Sequence, residues 1–176
     1  MMDLAARFPR LWHVTGMANP PGIATRGLWP AGHLHPEPGP DNRDAWLELA
    51  DGTLLRRQNL RDAPLATRLA PGLTPASWRR FINGHVFFFT SQEAAQRLRR
   101  SKRDIHLGQV ILRVDTAALA ACGLPLLTCR FNNGYLDRAP EGRRRLRAMS
   151  DYAPWNGGPV REVAVPGVIP PELVRR

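Results

Sequence analysis

Lysine is almost absent from this chain. Of its 25 basic residues only Lys102 is a lysine, which leaves 25 − 1 = 24 arginines. Cysteine is nearly as scarce: Cys122 and Cys129 are the whole supply. They form no Cys-x-x-Cys pair and are too few for a disulfide framework, which excludes a stapled scaffold and a thiol-rich zinc module. No apolar run approaches the roughly 18 residues of a membrane span. The opening MMDLAARFPRLWHVTG holds no uninterrupted apolar stretch of signal-peptide length. These absences predict a soluble, cytoplasmic protein with no membrane partner. Common catalytic signatures are missing too: there is no P-loop, no G-x-G-x-x-G, no G-x-S-x-G and no H-E-x-x-H.

What is present fits one domain, 1–176, with a core of its own. The chain has 176 residues, 43% of them hydrophobic, enough to rule out global disorder. Its formal charge is 25 − 15 = +10, a balance that points to a polyanionic partner. The preference for arginine over lysine, beside abundant Ala and Pro, also resembles a codon-composition habit. Two arginine runs concentrate the charge. One comprises Arg97, Arg99, Arg100 and Arg103, and the other Arg143, Arg144 and Arg145 with Arg147. Either could be a solvated face or a phosphate-contacting surface. Neither carries interleaved aromatics at a stacking spacing, so base reading is not indicated.

Periodicity and punctuation predict an α+β domain of five short strands interspersed with short helices. The five are Leu11–Thr15, Val86–Phe89, Gln109–Val114, Leu126–Phe131 and Arg161–Val165, and Thr53–Gln58 is a weaker strand candidate beside them. Asn19 reads as an N-cap ahead of Pro20 and Pro21, opening a helix that ends at Gly27 with Ile23 inward. Asp44–Ala50 reads as a turn or two of helix. Thr74-Pro75 starts a helix bearing Trp78, Phe81 and Ile82. Thr90-Ser91-Gln92-Glu93 resembles a capping box opening a basic helix to about Arg103. Asp115 caps a short Ala-rich helix. Two Pro- and Gly-rich stretches, about 30–41 and 134–158, read as flexible loops.

Three strands carry polar groups where apolar ones are expected. Alternation puts Leu11, His13 and Thr15 on one face of the first strand, and His13 and Thr15 either have partners in the core or line a cleft. On the last strand Val163 and Val165 share a face, while Glu162 shares the other with small Ala164. A buried carboxylate without a partner is costly, so Glu162 either lies at a solvated edge or borders a ligand. Arg56 faces the same way as Leu54 and Gln58, and an inward arginine wants a carboxylate or phosphate for its fork. His33 and His35, near Glu37, lack the further ligands of a metal site, so no metal is expected. His85 and His106 read as structural.

The order of these motifs resembles a known group. L-W-H-V-T-x3-N-x3-I-x3-G-L at 11–28 is similar to the opening of the DarT-type DNA ADP-ribosyltransferases. Nearly the whole chain resembles an uncharacterised bacterial family related to them. That likeness continues through L-R-R-Q at 55–58, G-L-T-P-x-x-W at 72–78 and I-N-G-x-V-F-F-F at 82–89. It ends with V-D-T-x-x-L at 114–119, N-x-G at 132–134 and E-V-A-V at 162–165.

The resemblance implies an ADP-ribosyltransferase-like split β-sheet with NAD, as co-substrate, in the cleft between its halves. It implies that Glu162 stabilises the oxocarbenium-like state formed as the nicotinamide–ribose bond breaks, with Arg56 on a phosphate or the nicotinamide-ribose side. His13 and Thr15 would hold NAD, and Asn19 would fix the pocket. The acceptor is left open among DNA, RNA, protein and small molecules, with the two arginine runs as the surface for a nucleic acid. The chain departs from the close family at Asn59-Leu60-Arg61 and in the arginine-rich 138–149 segment. Competing readings are an NAD glycohydrolase on the same fold and a non-catalytic basic nucleic-acid-binding module.

Overall fold

Strand-forming residues meet where alternation predicts, and one meeting is incomplete. The computed structural model describes residues 3–36, 45–58, 61–101, 108–134 and 136–176. Helix α1 (Leu4–Arg7) leads into β1 (Arg10–Gly16). Helices α2 (Pro20–Arg26) and α3 (Ala31–Leu34) follow, then β2 (Leu47–Glu48), β3 (Leu54–Leu55) and helix α4 (Asp62–Ala66). The second half contains α5 (Pro75–Asn83), β4 (His85–Phe89), α6 (Gln92–Arg99), β5 (Gln109–Asp115), α7 (Thr116–Ala121), β6 (Leu127–Cys129), β7 (Glu162–Pro166) and β8 (Val174–Arg175). Single 3-10 turns precede β7 and β8, at Met149–Asp151 and Pro171–Leu173.

Six strands form one antiparallel sheet in the order β6-β7-β4-β1-β5-β8, and β2 and β3 pair separately. The α+β reading holds, with a sixth strand, β8, beyond the five expected. β1 pairs with β5 from Arg10↔Asp115 to Gly16↔Gln109, and β4 pairs with β7 from His85↔Pro166 to Phe89↔Glu162. Between β1 and β4 the register has a single pair, Trp12↔Phe89. From there the halves of the sheet part.

Alternation on β7 sorts the core into two clusters. Val163 and Val165 join Leu11, Val86, Phe88, Val110, Leu112 and Val114. Ala164 joins Leu65, Leu69, Trp78, Ile82, Cys129 and Tyr152 on the other face. Helix α5 delivers Trp78 and Ile82 to this second cluster. Thr74 and Ser77 cap it reciprocally, with Pro75 in its first turn. Gly27 ends α2 at φ 86°, and a Cβ there would meet the Ile169 carbonyl oxygen at 2.2 Å. Only glycine allows Leu28 and Ile169 to exchange backbone hydrogen bonds at 2.9 Å each.

Several local expectations are corrected. The 45–50 stretch contains strand β2 rather than helix, because it forms a hairpin with β3 across Asp51-Gly52, Gly52 adopting φ 79°. Asp44 lies outside the described residues. Strand character within 53–58 is confined to Leu54–Leu55, the part that finds a pairing partner. The 30–36 segment contains α3, one helical turn following Pro30. Helix α6 is capped by Ser91, which accepts from the Ala94 N–H at 3.2 Å, one residue later than the expected Thr90. It ends at Arg99, short of Arg103, which lies outside the described residues, as does His106. β6 covers only Leu127–Cys129 of 126–131. Asn19 precedes α2 but makes no side-chain cap bond, since its amide is engaged elsewhere. Among the described residues no helix is long and apolar enough to cross a membrane.

Candidate functional site

The parting of β1 and β4 opens a cavity of about 990 Å³, within the range of small-molecule sites. It takes residues from β1, β3, β4, β7 and the 130–134 turn. All five residues singled out in the sequence, His13, Thr15, Asn19, Arg56 and Glu162, line it. Four arginines, Arg56, Arg57, Arg130 and Arg161, share the wall with a single carboxylate among the described residues, Glu162.

His13 spans the gap in the sheet. Its Nδ1 lies 2.8 Å from the Phe87 carbonyl oxygen. A carbonyl only accepts, so Nδ1 carries the proton and Nε2 keeps a lone pair. Desolvation in the cleft wall lowers the His13 pKa to about 4, against the opposing pull of the Phe87 carbonyl, and Arg56 lowers it further. The imidazole is therefore neutral at physiological pH, and Nε2 is a hydrogen-bond acceptor.

Asn19 is a clamp. Its Nδ2 donates to Thr15 Oγ1 at 2.7 Å and to the Leu54 carbonyl at 2.9 Å, while its Oδ1 accepts from the Leu54 N–H at 2.7 Å. The carboxamide thus pairs with β3 as a neighbouring strand would, and ties the hairpin to β1. Both its donors are used within the protein. Arg26 makes a second tie, reaching Asp51 and Thr53 of the same hairpin. Arg56 follows β3, donates to Gln109 Oε1 and lies 5.0 Å over the Trp46 ring.

Glu162 is 3% exposed. The solvated-edge possibility is excluded by topology, since β7 lies between β6 and β4. Tyr152 donates its phenol proton to Glu162 Oε1 at 2.6 Å, and the Asn133 N–H is a second donor. Desolvation raises the Glu162 pKa to about 7, and Tyr152, Asn133 and Arg147 oppose the rise.

Sequence reasoning missed Tyr152 and misplaced Arg147. Expected in a surface field, Arg147 is fully buried. Its Nε lies 3.2 Å from Asp151 Oδ2, its Nη1 donates to the Asn132 carbonyl at 2.9 Å, and its guanidinium stacks 5.2 Å from the Phe131 ring. The reason is pairing: a bridge to Leu69 and the aromatic cage hold it inward. No periodicity marks the 134–158 segment, so only the i,i+4 spacing of Arg147 and Asp151 could have hinted at it.

The remaining arginines divide. Arg97, Arg99 and Arg100 are exposed on or next to α6 and form no ion pair among the described residues, while Leu98 between them lines the cavity. Arg143 is exposed, whereas Arg144 donates to the Ala139 carbonyl at 2.7 Å and Arg145 pairs with Asp151 at 3.0 Å. Among the described residues no group of three His, Cys, Asp or Glu side chains could hold a metal ion.

Fold and site together define an α+β protein with a split antiparallel sheet and a cleft lined, among the described residues, by four arginines and one buried carboxylate. Residues 9–172 match the profile of a family described as "Family of unknown function (DUF7002)", and the chain belongs to that family. No curated protein matches it. Among solved structures it is similar to Thermus sp. 2.9 DarT in complex with NAD+, at 14% identity and a TM-score of 0.45, covering 96% of this chain and 80% of that one.

Proposed function

We propose that this chain is an NAD-dependent ADP-ribosyltransferase. The observation that carries the reading is the cavity wall itself, four arginines and a neutral His13 around one buried carboxylate. Such a wall suits a ligand with an anionic linkage and, nearby, a carbon that becomes positively charged. NAD, with its pyrophosphate and its nicotinamide–ribose bond, is a ligand of that kind, and the sequence resemblance supports the same choice.

In this reading Glu162 faces the ribose carbon. Its carboxylate stabilises the positive charge that develops as the bond to nicotinamide breaks and its electron pair leaves with the ring nitrogen. Arg56 contacts a phosphate or the nicotinamide-ribose side. His13 Nε2 accepts from a hydroxyl or amide of NAD. The Thr15 hydroxyl, whose oxygen already accepts from Asn19, donates alongside it. Asn19 acts indirectly by fixing the hairpin that carries Arg56. The acceptor then bonds to the ribose carbon and loses a proton; if water takes its place, the reaction is NAD hydrolysis. A nucleic-acid acceptor is favoured by Arg97, Arg99 and Arg100, which stand exposed beside the cavity, with Arg143 as an outlying contact.

The test is NAD consumption, read as released nicotinamide, with and without DNA, RNA or protein added. Glu162→Gln is expected to reduce it by about 10²-fold or more while the fold persists. Unchanged consumption in that variant removes the proposal. Salt-sensitive nucleic-acid binding without NAD turnover would leave the basic binding module.

A further inference from the structure

We propose that Tyr152 is a positioning residue of this site, its phenol orienting the Glu162 carboxylate and holding it in the charged form. The inference rests on the reading of Glu162 as the carboxylate that faces NAD. The hydrogen-bond directions follow from chemistry. A guanidinium has donors only, so Arg147 Nη2, 3.5 Å from the phenol oxygen, gives its proton to that oxygen. The phenol then gives its own proton to Glu162 at 2.6 Å, a length typical of a hydroxyl donating to a carboxylate. The order is Arg147 to Tyr152 to Glu162.

The phenol is held firmly. Tyr152 is 6% exposed, and its ring packs against Phe81, Phe87 and Trp78 at centroid distances of 5.1, 6.0 and 6.4 Å. The next residue, Ala153, exchanges backbone hydrogen bonds with Thr128 of β6 at 2.7 and 3.2 Å. An aromatic that served only to fill this space would need no hydroxyl. Here the hydroxyl points at Glu162, the one carboxylate of the cavity wall among the described residues.

Burial raises the Glu162 pKa and the Tyr152 donor lowers it, so losing the donor shifts ionisation to higher pH. The other titratable and charged groups packed around Glu162 are Arg147 from the 134–158 segment, with Asp151 and Arg145 behind it, and Cys129 from β6. His85 of β4 is engaged by the Phe81 carbonyl. Arg130 and Arg161 flank Cys129 and Glu162 along their strands.

The chain has two tyrosines, Tyr135 and Tyr152, so 3-fluorotyrosine incorporated into a Tyr135→Phe background labels Tyr152 alone. Its fluorine resonance, followed by NMR across neutral pH, is expected to titrate with a midpoint near 7 and to lose that titration in Glu162→Gln. A resonance that stays flat, or that titrates identically in Glu162→Gln, overturns the proposal. This reading needs no turnover, and the labelled protein keeps both ring and hydroxyl.

In parallel, Tyr152→Phe is expected to move the acid limb of NAD consumption up by about one pH unit and to lower the high-pH plateau, because the carboxylate also loses the bond that orients it. An unmoved limb, or a loss equal at every pH, overturns it. If Glu162→Gln leaves NAD consumption intact, the transferase reading fails by itself, and the fluorine titration still judges the bond.

Discussion

His13 and Glu162 have pKa values displaced in opposite senses by the same burial, and their effects on stability oppose each other. His13 falls to about 4 from an unfolded value near 6.5. Between these values the unfolded chain binds more protons, so this residue's contribution to stability rises with pH across about 4–6.5. Glu162 rises to about 7 from near 4.5. There the folded protein binds more protons, and its contribution falls as pH rises through about 4.5–7. In the parent the two slopes largely cancel. Glu162→Gln is expected to be more stable than the parent at pH 8, by as much as about 3 kcal/mol, and close to it at pH 4.5. Denaturant melts at the two pH values check this, and a variant destabilised equally at both would contradict it. A carboxylate that costs stability where it is charged, in a cleft wall, is characteristic of a site kept for chemistry rather than for folding.

At the scale of elements, the link between β1 and the β2–β3 hairpin sets the shape of the cleft mouth. The hairpin is too short to stand alone, and it depends on Asn19 and on the Arg26–Asp51 pair. Asp51 is held near pH 2 chiefly by its bond to Arg26, but it is exposed, and a surface pair contributes little. The buried amide matters more. Asn19→Asp removes both donors while keeping an oxygen for the Leu54 N–H, and is expected to cost about 1–3 kcal/mol. Hydrogen exchange at the Leu54 amide should speed up with it. Arg56, two residues further along, then loses its fixed position, so NAD affinity is expected to fall in a variant that still folds. Unaltered Leu54 exchange would show that the hairpin is anchored elsewhere.

At the scale of the whole molecule, the single β1–β4 pair divides a continuous sheet into two halves, and the cleft is what remains between them. A ligand that spans the halves stabilises both. NAD at about 100 times its dissociation constant is expected to add about 2.7 kcal/mol, a rise in Tm of about 5–10 °C for a domain of this size. His13→Ala, which removes the side chain that bridges the halves, is expected to abolish the rise. A parent protein with no shift at millimolar NAD would contradict the pocket assignment. Charge acts at the same scale. Binding of a nucleic acid along α6 is expected to weaken linearly in log affinity against log salt, with a slope reduced by Arg97→Ala and Arg99→Ala.

The elements legible in the sequence share a property: their signals are local. β1, β4, β5 and β7 show as apolar runs or alternations, and α5 and α7 by their caps at Thr74 and Asp115. The face shared by Glu162 and Ala164, and the polar side chains of β1, follow from the two-residue period of a strand. That period marks His13, Thr15, Arg56 and Glu162 as candidates, and the family resemblance is what joins them with Asn19 in one pocket, whose wall all five line.

Tertiary structure alone decided the rest. Asn19 has the residue type and place of a helix cap, yet Leu54, thirty-five residues on, offers its amide a better use. Arg147 sits in a run of surface-like charge, yet an aromatic cage and Asp151 take it inside. Tyr152 has no periodic neighbours, and its importance comes wholly from the carboxylate it meets ten residues later. Hydrophobic period and capping are written within one turn or one strand. The environment of a charge is written by whatever chain packs over it, and here that chain is the segment 134–158.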